Sequence, residues 1–483
     1  MLHKIEIEKA NEFIEQKAKD VNKRYRNKYH LMAPIGWMND PNGFVYFQGE
    51  YHLFYQYYPY DSIWGPMHWG HAKSKDLVNW EHLPVALAPS EEYDKDGCFS
   101  GSAIVKDDQL YLIYTGHVEE GDYRREVQCL AMSEDGIHFE KYHQNPVIAE
   151  AHIHNIADIA EFRDPKVFQR GETYYTIVAA QTADQRGQML LFESANLVDW
   201  KFKSVVAEGE KHQGIMWECP DLFHLDGKDV LIFSPIQMAK QDNSYWNTSS
   251  TVAFIGEMDW ETGKLAIENY HEIDYGLDFY APQTCEGPNG ERMMVAWMQM
   301  WNRNMPTNDL GHLWAGSMTL PRELHVEDNR LIQTPVKGIY RQFNEQPQDS
   351  SKNYFANVVK EQQYVHAVVE INEEQEFTFA YAKNGDEALK ISYQAATEML
   401  TVSRETIGYP IKGIEETHLV ERKMRVSPVD GQLDLELFRD TSSLEVFANG
   451  QTMSFTFFEK VKGTDIAVES TTPLTIKLLT FSQ

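Results

Sequence analysis

The first 28 residues and the rest of the chain are patterned differently. Near the N-terminus the apolar positions Ala10, Phe13, Ile14, Ala18 and Val21 follow helical spacing, which predicts an amphipathic helix packed on the body of the protein. From Tyr29 to about Leu324 the apolar runs are short and rich in β-branched and aromatic residues, as in LYLIYTG, TYYTIVAA and DVLIFSP, and read as strands. Between them a polar turn leading to an aromatic recurs in SKDLVNWE, SEDGIHFE, SANLVDWK and GEMDWETG. The aromatics Trp80, Phe139, Trp200 and Trp260 are 59, 61 and 60 residues apart. A fixed period marks a repeat architecture. Short strands with no helical period between them make that architecture a β-propeller, with about five repeats over residues 29–335. A polar connector, TPVKGIYRQFNEQPQDSSKN, follows. Beyond it, EFTFAYA, LKISYQ, LDLELFRD, SLEVFANGQTMSFTFF and LTIKLLTF alternate with period two, and Asn449-Gly450 signals a hairpin. These segments predict an antiparallel β-sandwich over residues 350–483. The expected fold is all-β: an N-terminal helical extension (1–28), a five-bladed β-propeller (29–335) and a C-terminal β-sandwich.

The repeat carries chemistry in one phase. Asp40 in NDPNG, Ser100 in FSGSA, Asp164 in FRDPKVF, Glu218 in WECPDLF and Tyr280 in FYAPQT are 60, 64, 54 and 62 residues apart. By itself Asp40 reads as a turn former, since Asn, Asp, Pro and Gly make tight turns. In a propeller, however, the first strand of each blade lines the central channel, so the repeat brings Asp40 toward Asp164 and Glu218. Two carboxyl groups across a glycosidic bond can cleave it, one ionised and one holding a proton for the leaving oxygen. Backbone donors in a turn would keep Asp40 ionised, and Arg163 would do the same for Asp164. Apolar surface from Trp217 and Cys219, and a neighbouring carboxylate, would favour the protonated form of Glu218. The next carboxyl in this phase is Glu161. Trp37, Trp64 and Trp69 suit either a core or platforms for sugar faces. HWGH, with His68 and His71, and HIHN lack the accompanying ligands of a metal site, so no metal and no cofactor is expected.

Charge and composition narrow the partners. A formal net charge of −29 on 483 residues opposes binding to nucleic acid or to an anionic membrane. No run of apolar residues is long enough to span a bilayer. Cys98, Cys129, Cys219 and Cys285 are far apart and form no metal-like pair. With no apolar signal core at the N-terminus, they predict reduced thiols and a cytoplasmic protein.

At these residues the chain resembles a known family. WMNDPNG, FSGSA, FRDP, WECPDLF and DFYAPQT are similar, in that order, to the motifs of glycoside hydrolase family thirty-two, the invertases and fructanases. SSLEVFANG resembles the sandwich motif of that family. The resemblance runs from about His30 to the end of the chain. It implies a five-bladed propeller plus sandwich that cleaves β-fructofuranosides with retention and without a metal. Carried over motif by motif, Asp40 would be the nucleophile, Glu218 the acid/base and Asp164 the transition-state stabiliser, with Arg163 beside it. Trp37, Asn39, Gln56, Trp64, Phe99 and Ser100 would bind the fructosyl unit, as would Trp297 on a less specific match. Sucrose, sucrose-6-phosphate and short fructo-oligosaccharides all present that unit. A phosphate would need Arg or Lys near the pocket mouth; Arg124, Arg125, Arg186 and Lys240 are the candidates. A fructosyltransferase using the same intermediate, or a catalytically dead fructan-binding protein, would carry the same motifs.

Overall fold

A computed structural model of the chain describes residues 2–345, 354–355, 361–372, 374–413, 419–463, 465–471 and 474–481. Five antiparallel sheets are led by the strands Gly36–Phe47, Gly97–Lys106, Phe162–Arg170, Met216–Leu225 and Tyr280–Glu286. Each leading strand lies against the leading strand of the next sheet, and the fifth lies against the first. The first sheet also takes up the short strand Trp314–Ala315, parallel to Gly36–Phe47 with Gly36 opposite Trp314. This pairing ties residues after the fifth leading strand back to the first sheet.

The period near sixty has a local cause. In the first three repeats, the turn that leads to the aromatic is closed by a short polar side chain accepting two backbone N–H groups. Asp76 accepts from Val78 and Asn79, Asp135 from Ile137 and His138, and Asn196 from Val198 and Asp199. Leu77, Gly136 and Leu197 take positive φ in these turns. Asp and Asn side chains mimic a backbone turn in this way, so the repeat in the sequence is a repeated corner between the third and fourth strands.

Two expectations are corrected. The segment NDPNG is not a free turn: it lies inside the strand Gly36–Phe47, whose register against Glu50–Tyr58 slips between Met38 and Pro41 and again between Asn42 and Val45. The turn is at Gln48-Gly49, with φ of 49° and 86°. The connector also begins as packed structure, with a helical turn at Lys337–Tyr340 and Ile339 fully buried. Residues 346–353 of the connector lie outside the described residues.

The N-terminal helix runs Leu2–Lys17. It docks on the strand Glu81–Leu87 through Ala10, and through polar side chains that the apolar pattern does not reveal: Asn11 accepts from Val85 N and His3 from Ala88 N. Two six-stranded sheets built from residues 343–481 pack face to face around Phe377, Phe379, Leu435, Val446 and Phe455. The hairpin at Asn449-Gly450 forms as expected, with φ of 42° and 80°.

Buried charges join these sheets to the rest. Arg322 donates to Asp274, Glu445 and Ser454, while His30 lies between Asp440 (2.8 Å) and Glu445 (2.9 Å). Burial lowers the His30 pKa, but the two carboxylates outweigh it and raise the group from 6.5 to about 9. A group with a raised folded pKa contributes stability that is complete below the unfolded value and lost as pH rises through the folded one. Between pH 6.5 and about 9 the wild type should therefore lose about 3 kcal/mol that His30→Gln does not lose. Urea denaturation of both proteins across that window checks this; parallel pH dependences would exclude it.

Candidate active site

Proline shapes the end of four of the five leading strands where the candidate residues lie. Pro41, Pro165, Pro220 and Pro282 have no N–H to give the adjacent strand, so the ladder must break there. The register slips beside each of them, and also between Phe99 and Gly101 in the second sheet. Asp164, Cys219 and Ala281, each directly before its proline, have φ of 63°, 50° and 51°. Such backbone is strained by about 1 kcal/mol or more per residue and is held by its surroundings. A bulge re-aims side chains. Two consecutive residues of a strand therefore face the same space, where regular pleating would send them to opposite sides.

The result is two tiers. Asp40, Ser100, Asp164 and Cys219 form one. Ser100 Oγ donates to Asp40 Oδ2 at 2.9 Å, and the backbone N–H of Cys219 donates to Asp164 Oδ2 at 3.0 Å. The Cys219 thiol is 3.5 Å from both Asp40 Oδ2 and Asp164 Oδ2, so the two carboxylate oxygens are at most twice that apart. The preceding residues form the second tier. Arg163 donates to Glu218 Oε1 through Nε (3.0 Å), with Nη2 2.9 Å from the same oxygen in an ion pair, and Tyr280 donates its hydroxyl to Glu218 Oε2. The sequence spacing mixes the tiers, because Glu218 and Tyr280 lie one position before the proline-adjacent residues with which they were aligned.

These carboxyls share a cavity of about 220 Å3. Asn39, Gln56, Trp64, Phe99, Ser100 and Arg163 line it. Trp37 instead stands behind Asn39, donating its indole N–H to Asn39 Oδ1 at 2.7 Å. Trp297 does not reach the cavity: it is fully buried, 5.9 Å from the Trp37 ring and 4.9 Å from Trp301. The ring that lines the wall is Trp301, the second tryptophan of VAWMQMW. Arg124 also lines it. It comes from the DYRREV hairpin, where the only sequence signal was an Arg-Arg pair in an acidic chain. A larger cavity, about 840 Å3, opens at the other ends of the same strands, around Phe44, Phe168 and Trp260. Its one buried cation, Lys166, is neutralised by Asp221, so the carboxyl chemistry belongs to the smaller cavity.

Electrostatics differ from the sequence expectation. Burial, then the charge of Glu218, raises Asp40 from 3.8 to about 6, although hydrogen bonds from Asn39, Ser100 and Cys219 oppose the shift. Among the described residues no backbone N–H reaches its carboxylate, and Oδ1 has no hydrogen-bond partner. Burial also pushes Asp164 up; Arg163 pulls it down, but Glu218 and Asp40 push in the same direction as burial. Arg163 cannot hold Asp164 ionised because its guanidinium serves Glu218, Glu126 and Glu161 instead. Trp217 turns away from Glu218 and packs on Phe233 in a tilted pair, 4.3 Å between ring centroids. His68 and His71 face different partners, Pro66 O and His52, and do not converge.

Residues 30–335 match the glycosyl hydrolases family 32 N-terminal domain, and residues 330–481 match the family 32 C terminal domain. The chain belongs to glycosyl hydrolase family 32. It is 39% identical over 438 residues to a sucrose-6-phosphate hydrolase of Escherichia coli, covering 87% of this chain and 86% of that one. A family 32 β-fructofuranosidase of Bombyx mori, solved as a mutant in complex with sucrose, is 34% identical with a TM-score of 0.85, covering 99% and 98% of the two chains. A sucrose-6-phosphate hydrolase from Lactobacillus gasseri is 27% identical with a TM-score of 0.89, covering 98% and 96%. Among the described residues no helix is long and apolar enough to cross a membrane.

Proposed function

We propose that this protein is a retaining β-fructofuranosidase that releases the terminal fructose of sucrose, sucrose-6-phosphate and short fructo-oligosaccharides. The observation that carries the reading is the convergence of Asp40, Asp164 and Glu218, from three separate sheets, on one small cavity, with Cys219 touching the first two and Arg163 and Tyr280 holding the third. Asp40 attacks the anomeric carbon as the glycosidic bond breaks. Glu218 gives its proton to the departing oxygen, leaving a fructosyl ester on Asp40. Glu218, now a carboxylate, takes a proton from water, which attacks the ester and frees fructose. Positive charge builds on the ring in both transition states, and the cavity already concentrates carboxyl groups around it. Asp164 holds sugar hydroxyls at that moment. Reducing-sugar release from sucrose tests the activity against a binding protein with a dead site, and product analysis at high sucrose separates hydrolysis from fructosyl transfer.

The organisation that supports this site is a five-bladed β-propeller over residues 29–335, preceded by a helical extension (1–28) and followed by a β-sandwich over 350–483. The ring of contacts between leading strands favours it. The protein acts in the cytoplasm; its four cysteines are all buried free thiols, in keeping with a reducing compartment. Asp164→Asn should lower kcat by about a hundredfold or more with little change in KM. A large rise in KM at normal kcat would reassign Asp164 to ground-state binding.

A further inference from the structure

Two arginines line the cavity, and they differ in exposure. The Arg163 side chain is 7% exposed and that of Arg124 is 32%. From Glu218 an unbroken chain of ion pairs leads outward through Arg163 and Glu161 to Arg124. On the proposed mechanism the leaving sugar lies on the Glu218 side, so Arg124 is the cation that an aglycone meets at the cavity mouth. Three of its five N–H groups are already committed. Its Nε and Nη2 donate to Glu126 Oε1 (3.1 and 2.6 Å), and its Nη1 donates to Glu161 Oε1 (3.2 Å). Glu126 is fully buried and fixed by Arg163 as well; Glu161, 26% exposed, is the partner near solvent. The other basic candidates do not line the cavity: Arg125 is held by Glu150, Arg186 by Asp184 and Glu208, and Lys240 lies over Trp246. The hairpin carrying Arg124 also exposes Asp122, together with Glu120, which pairs with Lys95, and Glu119, which lies 3.4 Å from His117.

We infer that Glu161 is a specificity-determining residue: by occupying the Arg124 guanidinium it makes the mouth of the cavity select neutral aglycones over phosphorylated ones. The inference rests on the β-fructofuranosidase reading and adds a ranking of its substrates. A phosphate dianion there must compete with the Glu161 carboxylate for Arg124, and among the described residues both cations that line the cavity are already paired. The contacts to Glu126 hold Arg124 in place, so removing the charge of Glu161 would turn Arg124 into a phosphate partner.

The test is the ratio of kcat/KM for sucrose-6-phosphate to that for sucrose. In the wild type it should be below one, by about tenfold, and should rise toward one as salt goes from about 20 mM to about 500 mM, because screening weakens repulsion. In Glu161→Gln it should rise by about tenfold or more and then fall with salt, as an attractive contact does. Loss of absolute rate in the variant cancels in the ratio. A wild-type ratio above one that falls with salt would mean Arg124 already holds phosphate and would overturn the inference. So would a ratio unmoved by salt, which would be steric, or one unmoved by Glu161→Gln. If the variant does not fold, the wild-type salt dependence decides alone. Release of no fructose from either substrate would instead remove the underlying reading.

Discussion

Glu218→Ala should slow sucrose hydrolysis by about a thousandfold, in the upper part of the range for general acid catalysis. The size follows from the leaving group. Glucose leaves as a strongly basic alkoxide and needs the proton; an aryl fructoside with a nitrophenolate leaving group does not. On the aryl substrate the first step should suffer much less, and hydrolysis of the Asp40 ester should become limiting, because Glu218 also activates water. Azide needs no base, so it should restore turnover and accumulate as β-fructosyl azide. The fold should survive, since Arg163 keeps Glu126 and Glu161 as partners when Glu218 is gone. Equal losses on both substrates, with no response to azide, would remove Glu218 from the acid/base role. Glu161 is a poor replacement: it pairs with Arg124 and Arg163 and does not line the cavity.

Asp40→Asn should lose about ten-thousandfold or more on every fructoside, activated or not, with no rescue by azide, because no ester can form. Two further readouts separate this from damage to the fold. Asp40 is buried and raised from 3.8 to about 6, so its ionisation in the native state weakens folding: the penalty starts above the unfolded value and is complete above about pH 6. That shift corresponds to about 3 kcal/mol. Asp40→Asn should therefore be more stable than the wild type at pH 7, with the difference vanishing near pH 4, as read by denaturation midpoints. In the wild type, kcat/KM should fall below about pH 6 as Asp40 takes up a proton. Methanolysis of sucrose should give methyl β-fructofuranoside first. The α-anomer as first product would mean inversion by a water molecule and no covalent role for Asp40.

Most of the parts were visible in the order of residues. Asp40, Asp164 and Glu218 stand out because each sits in a dense local motif, and the motifs recur with the period of the strands. The hairpin at Asn449-Gly450 was legible for the same kind of reason: the backbone angles it needs belong to few residue types. Trp301 was not legible as a site residue, and Arg124 was legible only as one of four basic candidates for the pocket mouth. Their positions on the cavity wall depend on segments of the second and fifth sheets, and no local rule relates either segment to Glu218. Trp297 was misplaced for a related reason. Trp297 and Trp301 sit four residues apart in one motif and both pack against Trp37, so only the tertiary structure decides which ring faces the cavity.

The sequence by itself determined that the chain is a succession of short strands with a period near sixty, that acids recur at one end of those strands, and that apolar and polar positions alternate in the C-terminal part. These follow from side-chain size, branching and backbone preference, which act over a few residues. Tertiary structure alone decided the state of the acids. Arg163 is next to Asp164 in sequence yet spends its charge on Glu218, Glu126 and Glu161. Trp217 is next to Glu218 and turns into the core. Proline-marked bulges place neighbouring residues in different tiers, so adjacency along the strand does not predict contact. Proton affinity depends on burial and on every charge within several ångströms, and those distances exist only once five strands, far apart in the chain, have met.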